Sequence, residues 1–204
     1  MIERTGWIRE QAPHKPAHLG EFGLADDKWR ITEQMQRNPE VADIHNALWA
    51  SGLSGASATA MFWWWERIDQ RQAYTNYYAL SRFLADVPWT SGHVRQLQVS
   101  IIPTEKAPNV RALGLQTNGE AWLWCFNKAA SWTNLVAAGS HAPPAMHCGV
   151  ELNVGRPGTY RVSWHKTSDL ASLRSDEIQV TGEIMQLQTP DFAHDLACRI
   201  HLIQ

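Results

Sequence analysis

The chain before Trp89 alternates between apolar residues at helical spacing and short apolar runs. The helical spacing predicts three helices, over residues 2–11, 40–51 and 73–86. The apolar runs predict strands over residues 17–22 and 58–65; the second is apolar throughout, as is typical of parallel strands buried on both faces. The polar residues 26–37 are predicted to form a connection with some helical character. Strands that alternate with helices indicate βα units and a parallel sheet.

After Trp89 the pattern changes to period-two alternation broken by turn residues, which is typical of an antiparallel sandwich. Asn118-Gly119 lies between two alternating runs, and this dipeptide is the strongest short hairpin signal. Six short strands are predicted in a region of immunoglobulin-like size, over residues 109–116, 120–126, 149–154, 159–164, 177–180 and 196–202. The fold class is therefore α/β plus all-β, with predicted domains at 1–92 and 93–204.

Composition narrows the classes of function. Apolar residues make up 44% of the chain and charged residues 19%, which permits a packed core. A net charge of -2 argues against a nucleic-acid-binding surface, and no apolar run is long enough to span a membrane. The first eleven residues lack the apolar stretch of a signal peptide. We therefore expect neither nucleic acid nor a membrane as a partner.

Cysteine spacing predicts neither a zinc site nor another metal centre, because no CxxC pair occurs. We expect Cys125, Cys148 and Cys198 to be buried and unpaired. No motif calls for a cofactor. The 11 tryptophans are an unusually large number, and such rings serve both sugar stacking and large cores.

The candidate chemistry lies in the first half. Glu21 ends the first predicted strand between Gly20 and Gly23, which let another backbone or a ligand come close. In βα folds the strand ends and the starts of the following helices lie on one face. This topology predicts that Glu21, His45 at a helix start, and the second strand end converge on one pocket.

The second strand end carries the run Trp63-Trp64-Trp65-Glu66. Alternation along a strand predicts that Trp63 and Trp65 share one face while Trp64 takes the other. A tryptophan pair beside a carboxylate predicts a flat aromatic surface on which a pyranose ring can stack.

Several motifs together resemble the C-terminal part of a clan-A, cellulase-like (β/α)8 glycoside hydrolase with an appended β-sandwich. The barrel part is similar in GEFG, HNALWASGLSGASATAMFWWW and YTNYYALSRFLADVPW, and the sandwich part in VRALGLQTNGEAWLWCFN, PGTYRVSWHKT and DFAHDLACRI. The resemblance covers nearly the whole chain. It implies the last two βα units of a barrel of the TIM type, followed by an immunoglobulin-like antiparallel β-sandwich.

The resemblance also implies site residues and a carbohydrate partner. Glu21 takes the position of the catalytic nucleophile on the seventh strand, and Trp63 or Trp65 lines the sugar subsite on the eighth. A retaining enzyme needs a second carboxyl about 5–5.5 Å from the nucleophile. In the family that glutamate follows an asparagine on the fourth strand, and this sequence contains no Asn-Glu pair. Strands one to six are expected to precede Met1, and the isolated chain is expected to be inactive.

Each candidate also has a structural interpretation. Glu21 is compatible with a solvated strand-end carboxylate, and His45 with a packing histidine at a helix start. Glu66 is as compatible with capping the following helix as with contacting substrate. Trp122 and Trp124 are expected in the sandwich core rather than on an exposed sugar platform. His141, His147 and Cys148 are expected in a loop rather than around a metal.

Two further functions compete with the hydrolase fragment. The sandwich is compatible with a non-catalytic carbohydrate-binding or structural module. The open barrel edge is compatible with a partner chain that completes the barrel, or with self-association. The family resemblance implies a secreted or extracytoplasmic protein, while sugar and linkage specificity are not encoded in this part of the barrel.

Overall fold

The computed structural model describes residues 1–36, 41–105, 107–139, 144 and 146–204. The helices of its first half are α1 (Ile2–Gln11), α2 (Glu33–Gln36), α3 (Ala42–Leu53), α4 (Trp65–Gln70) and α5 (Tyr74–Phe83). Ile44, Leu48 and Trp49 on α3 are fully buried, as their helical spacing predicts. The predicted start of this helix at Pro39 and Glu40 lies outside the described residues.

A parallel pair of very short strands lies among these helices. Strand β1 (Glu21–Phe22) pairs with β2 (Met61–Phe62), with Glu21 opposite Met61. Both strands are much shorter than predicted, because each has only one neighbouring strand in the described part of the chain. The strand predicted over residues 58–65 was wrong at its end: the backbone turns at Trp64, and Trp65 begins α4. Trp63 and Trp65 therefore do not share a strand face.

The second half forms two antiparallel sheets. Its described strands are β3 (Arg95–Gln96), β4 (Val99–Ile102), β5 (Val110–Gln116), β6 (Glu120–Asn127), β7 (Gly149–Asn153), β8 (Gly158–His165), β9 (Ser172–Val180), β10 (Ile184–Gln188) and β11 (Asp195–Leu202). The six-stranded sheet has the order β3-β5-β6-β11-β8-β9, and the three-stranded sheet the order β10-β7-β4. The predicted β5–β6 hairpin is confirmed: Thr117 N–H donates to Glu120 O over 2.9 Å, and Gly119 has φ +98°.

Strand β6 shows how the six-stranded sheet is covered on both faces. Leu123 and Cys125 point into an apolar core shared with the three-stranded sheet. Trp122 and Trp124, on the opposite face, pack into a second core with the helices. The expected burial of these tryptophans is confirmed, but the core that holds them lies between the sheet and the helices rather than inside the sandwich. An alternating strand that is buried on both faces does not reveal which layer covers which face.

The two parts of the chain are joined by this second core and by polar contacts. Trp49 of α3 stacks on Trp124 with ring centroids 6.3 Å apart, and contacts Phe83 of α5 at 5.2 Å. Arg199 of β11 donates to the carbonyl oxygen of Phe83 at 2.7 Å and pairs with Asp86 at 2.9 Å. A cationic side chain at the end of α5 complements the helix dipole. The division at residues 92 and 93 stays a prediction, and the packing crosses it.

Candidate functional site

Glu21 lies at the edge of a cleft of about 230 Å³ that the parallel strand pair builds. The ladder fixes the two strand ends side by side: Trp63 N–H donates to Phe22 O over 2.8 Å. Glu21 and Trp63 therefore border the same cleft, whose lining is completed by Phe22, Gly23, Ala25, Trp29 and Trp64. The structure thus brings together two of the residues that the sequence singled out. In the described part of the chain, Glu21 is the one carboxylate in this lining.

The wall of the cleft depends on one of the two glycines beside Glu21. A Cβ atom at Gly23 would lie 3.2 Å from Trp63 Cβ and 3.3 Å from the Trp64 ring, so the glycine permits close approach of the tryptophan strand, as predicted. Gly20 has nothing within 4 Å of such an atom. The Trp64 indole N–H donates to Leu24 O over 3.0 Å and fixes this ring. Trp63 leaves 44% of its surface exposed.

Sequence reasoning missed Trp29, which also borders the cleft. The polar residues 26–37 predict a connection, because the apolar periodicity stops there. The available signal was Asp26, since aspartate commonly accepts hydrogen bonds from backbone N–H groups two or more residues onward and so forms a tight turn. Such a turn places a following side chain at a loop tip.

His45 lies in a different place from Glu21. One ring nitrogen, Nε2, is 2.6 Å from Asp195 Oδ2, and Nδ1 is 3.0 Å from Asn76 Oδ1. Asp195 also accepts from Thr167 Oγ1 at 2.6 Å and from Trp124 Nε1 at 2.7 Å. The His45 and Asp195 side chains are only 16% and 7% exposed. Both ring nitrogens thus face protein acceptors, and the network joins α3 and α5 to β11.

His45 and Asp195 each stabilise the charged form of the other. Burial alone would lower the pKa of His45, but attraction to Asp195 and the hydrogen bonds to Asp195 and Asn76 outweigh it, and the pKa is raised. Burial would raise the pKa of Asp195, but the charge of His45 and the hydrogen bonds from His45, Thr167 and Trp124 lower it. Between the ordinary pKa values of the two groups, about 3.9 and 6.5, the pair therefore exists as imidazolium and carboxylate.

This pair predicts a pH-dependent stability. The contribution of His45 is complete below about pH 6.5 and is lost as the pH rises through its raised pKa, while that of Asp195 is present above about pH 3.9 and is lost as the pH falls through its lowered pKa. We expect the difference in unfolding free energy between the native chain and His45→Gln to be largest between about pH 4 and 6.5. Urea unfolding at a series of pH values measures it. A difference that does not vary with pH would contradict the assignment.

His45 borders its own cleft of about 320 Å³, between the helices and one end of the six-stranded sheet. Asn76, Lys166, Thr167, His194 and Asp195 are among the other residues of its lining. Glu21 is not part of this lining, so the predicted convergence of Glu21 and His45 on one pocket does not occur among the described residues.

Trp65 and Glu66 begin α4 and do not border the Glu21 cleft. Trp65 is one of the more exposed tryptophans, and Glu66 is exposed in the first helical turn, where a carboxylate complements the helix dipole. The side chain of Trp64, which precedes them, makes no capping bond. Their position is thus compatible with either interpretation of Glu66.

The three cysteines are buried and unpaired, as predicted. Burial is the main reason that the pKa of the Cys125 and Cys198 thiols is raised well above the ordinary value, which keeps them protonated. Within the residues that the structure describes, no group of three or more His, Cys, Asp and Glu side chains is arranged to hold a metal; His141 lies outside those residues. Of the described helices, none has both the length and the apolar character needed to cross a membrane.

Comparison with known proteins identifies the fold. No protein-family model matches the sequence, and no curated protein matches it. Among solved structures, a family 30 endoxylanase from Clostridium papyrosolvens matches all of this chain (100%) and 46% of its own length, with 14% identity and a TM-score of 0.55. A second structure, described as a glycoside hydrolase, matches 98% of this chain and 45% of its own length, with 11% identity and a TM-score of 0.60.

A family 5 glycoside hydrolase from Bacteroides vulgatus gives a similar result, with 98% of this chain and 44% of its own length covered, 10% identity and a TM-score of 0.57. The chain therefore spans less than half the length of these solved structures. It has the mixed α/β, mostly antiparallel fold of part of a glycoside hydrolase.

Proposed function

We propose that this chain is the C-terminal part of a retaining glycoside hydrolase and that Glu21 is its nucleophile. The observation that carries the proposal is the cleft that Glu21, in one parallel strand, borders together with Trp63, which directly follows the next strand. The fold shared with glycoside hydrolases over the whole chain supports it. In this proposal β1 and β2 are strands seven and eight of a (β/α)8 barrel, and residues 93–204 are an appended immunoglobulin-like sandwich.

The chemistry follows from the geometry of retaining enzymes. The Glu21 carboxylate attacks the anomeric carbon and forms a glycosyl ester, while a second carboxyl about 5–5.5 Å away protonates the leaving oxygen. The described cleft has Glu21 as its one carboxylate, so this chain supplies the nucleophile and the aromatic wall. General acid catalysis contributes about 10²–10⁴-fold. The chain alone is therefore expected to be inactive on ordinary glycosides.

An activated sugar tests the nucleophile without the acid. A 2-deoxy-2-fluoroglycosyl fluoride needs no proton on its leaving group: the C1–F bond breaks, fluoride leaves, and an ester forms between C1 and a Glu21 carboxylate oxygen. We expect mass spectrometry to find one fluoroglycosyl group on the peptide that contains Glu21, and none in Glu21→Gln. Glu10→Gln, which removes an exposed carboxylate of α1 outside the cleft, is the matched control and should still be labelled.

Three outcomes would contradict the proposal. Labelling at another residue, or no labelling, would remove Glu21 as the nucleophile. Hydrolysis of an unactivated aryl glycoside at the rate of a whole enzyme would show that the chain does not lack the acid. None of the other predicted substrate-binding residues, Trp65, Glu66 and His45, borders the cleft of Glu21. Their role in binding substrate stays a prediction.

The competing functions receive different support. A sugar platform on the sandwich is not favoured, since Trp122, Trp124 and Trp164 are buried. An open barrel edge is favoured by β1 and β2, which have no other strand beside them in the described part of the chain. A partner chain or a second copy that covers this edge is therefore compatible with the proposal.

A further inference from the structure

The loop after Glu21 is a compact turn built on one side chain, Asp26. Its Oδ1 accepts from the backbone N–H groups of Lys28 at 2.9 Å and Arg30 at 2.8 Å. Its Oδ2 accepts from Arg30 Nε at 2.9 Å and lies 2.8 Å from Arg30 Nη2. An antiparallel bridge between Ala25 and Ile31 closes the base of the turn. This loop is held by specific contacts rather than by packing.

The turn places Trp29 at its tip in an unfavourable conformation. The φ angle of Trp29 is +58°, in the left-handed region that residues with a side chain seldom adopt. The ring is 81% exposed, so it is not held there by a core. It nevertheless borders the Glu21 cleft, together with Trp63 and Trp64. An exposed, conformationally constrained aromatic ring at a cleft is suited to binding rather than to folding.

From this arrangement we propose that Trp29 is a second stacking platform of the Glu21 cleft and that Asp26 is its positioning residue. The inference rests on the proposed function and adds to it a residue and a substrate class. At about 230 Å³, the cleft is smaller than the roughly 300–1,000 Å³ of pockets for drug-sized ligands. It therefore suits one sugar ring held between Trp29 and the tryptophan wall.

The lining also selects the class of sugar. Its charged member among the described residues is Glu21, so the carboxylate of a uronic acid would meet a like charge. Its aromatic rings favour pyranoses whose hydroxyl groups are equatorial, because both ring faces then present C–H groups. The ligand class is therefore a neutral pyranoside with equatorial hydroxyl groups.

The experiment follows binding of xylohexaose and cellohexaose to the full chain by the indole N–H signals in NMR spectra. We expect Trp29→Ala to weaken binding about tenfold through the loss of a stacked ring, and Trp29→Tyr to retain most of it. Trp7→Ala, which removes a 56% exposed ring on α1 outside the cleft, is the matched control and should leave binding unchanged. Oligogalacturonate of the same length should bind at least tenfold more weakly than the neutral sugars.

A double-variant comparison tests the role of Asp26. If it acts through Trp29, Asp26→Ala weakens binding as much as Trp29→Ala, and the double variant binds no more weakly than Trp29→Ala. Additive losses, with the melting temperature unchanged, would overturn the positioning role.

The outcomes separate this inference from the proposed function. If Trp63→Ala weakens binding and Trp29→Ala does not, the second platform is overturned and the Glu21 cleft remains the sugar site. If no neutral oligosaccharide shifts the Trp63 signal in the native chain, the cleft does not bind sugar, and both proposals are overturned. Equal binding of oligogalacturonate and xylohexaose would overturn the substrate class.

Discussion

Replacing Asp195 with alanine is expected to lower the free energy of unfolding by about 3–5 kcal/mol, the usual cost of leaving one member of a buried ion pair without its partner. The substitution removes the acceptor for three groups at once, the His45 imidazolium, the Trp124 indole and the Thr167 hydroxyl. Urea unfolding followed by tryptophan fluorescence measures the loss. Because the network links α3 to β11, we expect the whole chain to unfold at lower urea rather than one part alone.

The same sheet supplies a matched control. His201 and Glu120 form a similar pair, 3.0 Å apart, directly across the β11–β6 ladder, but with side chains 58% and 35% exposed. Exposed pairs contribute about 0–1 kcal/mol, so Glu120→Ala should change the unfolding free energy by no more than this. If Asp195→Ala and Glu120→Ala lower the free energy of unfolding by the same amount, burial does not explain the contribution of the His45–Asp195 pair to stability.

A chain limited to residues 93–204 is expected to self-associate instead of forming a stable monomer. Without the helices, one face of the six-stranded sheet presents Leu115, Trp122 and Trp124 to water. Each tryptophan buries roughly 150–250 Å², so the uncovered patch approaches or exceeds the few hundred Å² that soluble monomers expose. Size-exclusion chromatography and binding of a hydrophobic dye measure the effect against the full chain.

The control for this second prediction changes only the uncovered face. Replacing Leu115, Trp122 and Trp124 with threonine in residues 93–204 keeps the strand propensity and removes the apolar patch. This variant should elute as a monomer and bind little dye. A monomeric, dye-free native segment 93–204 would instead show that the predicted boundary at residues 92 and 93 separates two independent domains.

The sequence by itself determined the features that depend on neighbouring residues. The spacing of Ile44, Leu48 and Trp49 predicted the buried face of α3, and Asn118-Gly119 predicted the β5–β6 hairpin. The general rule that parallel strands end on one face was enough to place Glu21 near Trp63. The helix and hairpin predictions succeed because helical period and turn chemistry act over a few residues, and the placement of Glu21 near Trp63 succeeds because the two strands are parallel neighbours.

Only the tertiary structure decided what lies across from each of these elements. The partner of His45 is 150 residues away, and nothing near either residue indicates the pairing. Alternation along β6 predicts two different faces but does not reveal that helices cover the tryptophans and a second sheet covers Leu123. Trp29 came to the Glu21 cleft through the Asp26 turn. Burial and ion pairing depend on which distant surfaces meet, and local patterns do not contain that information.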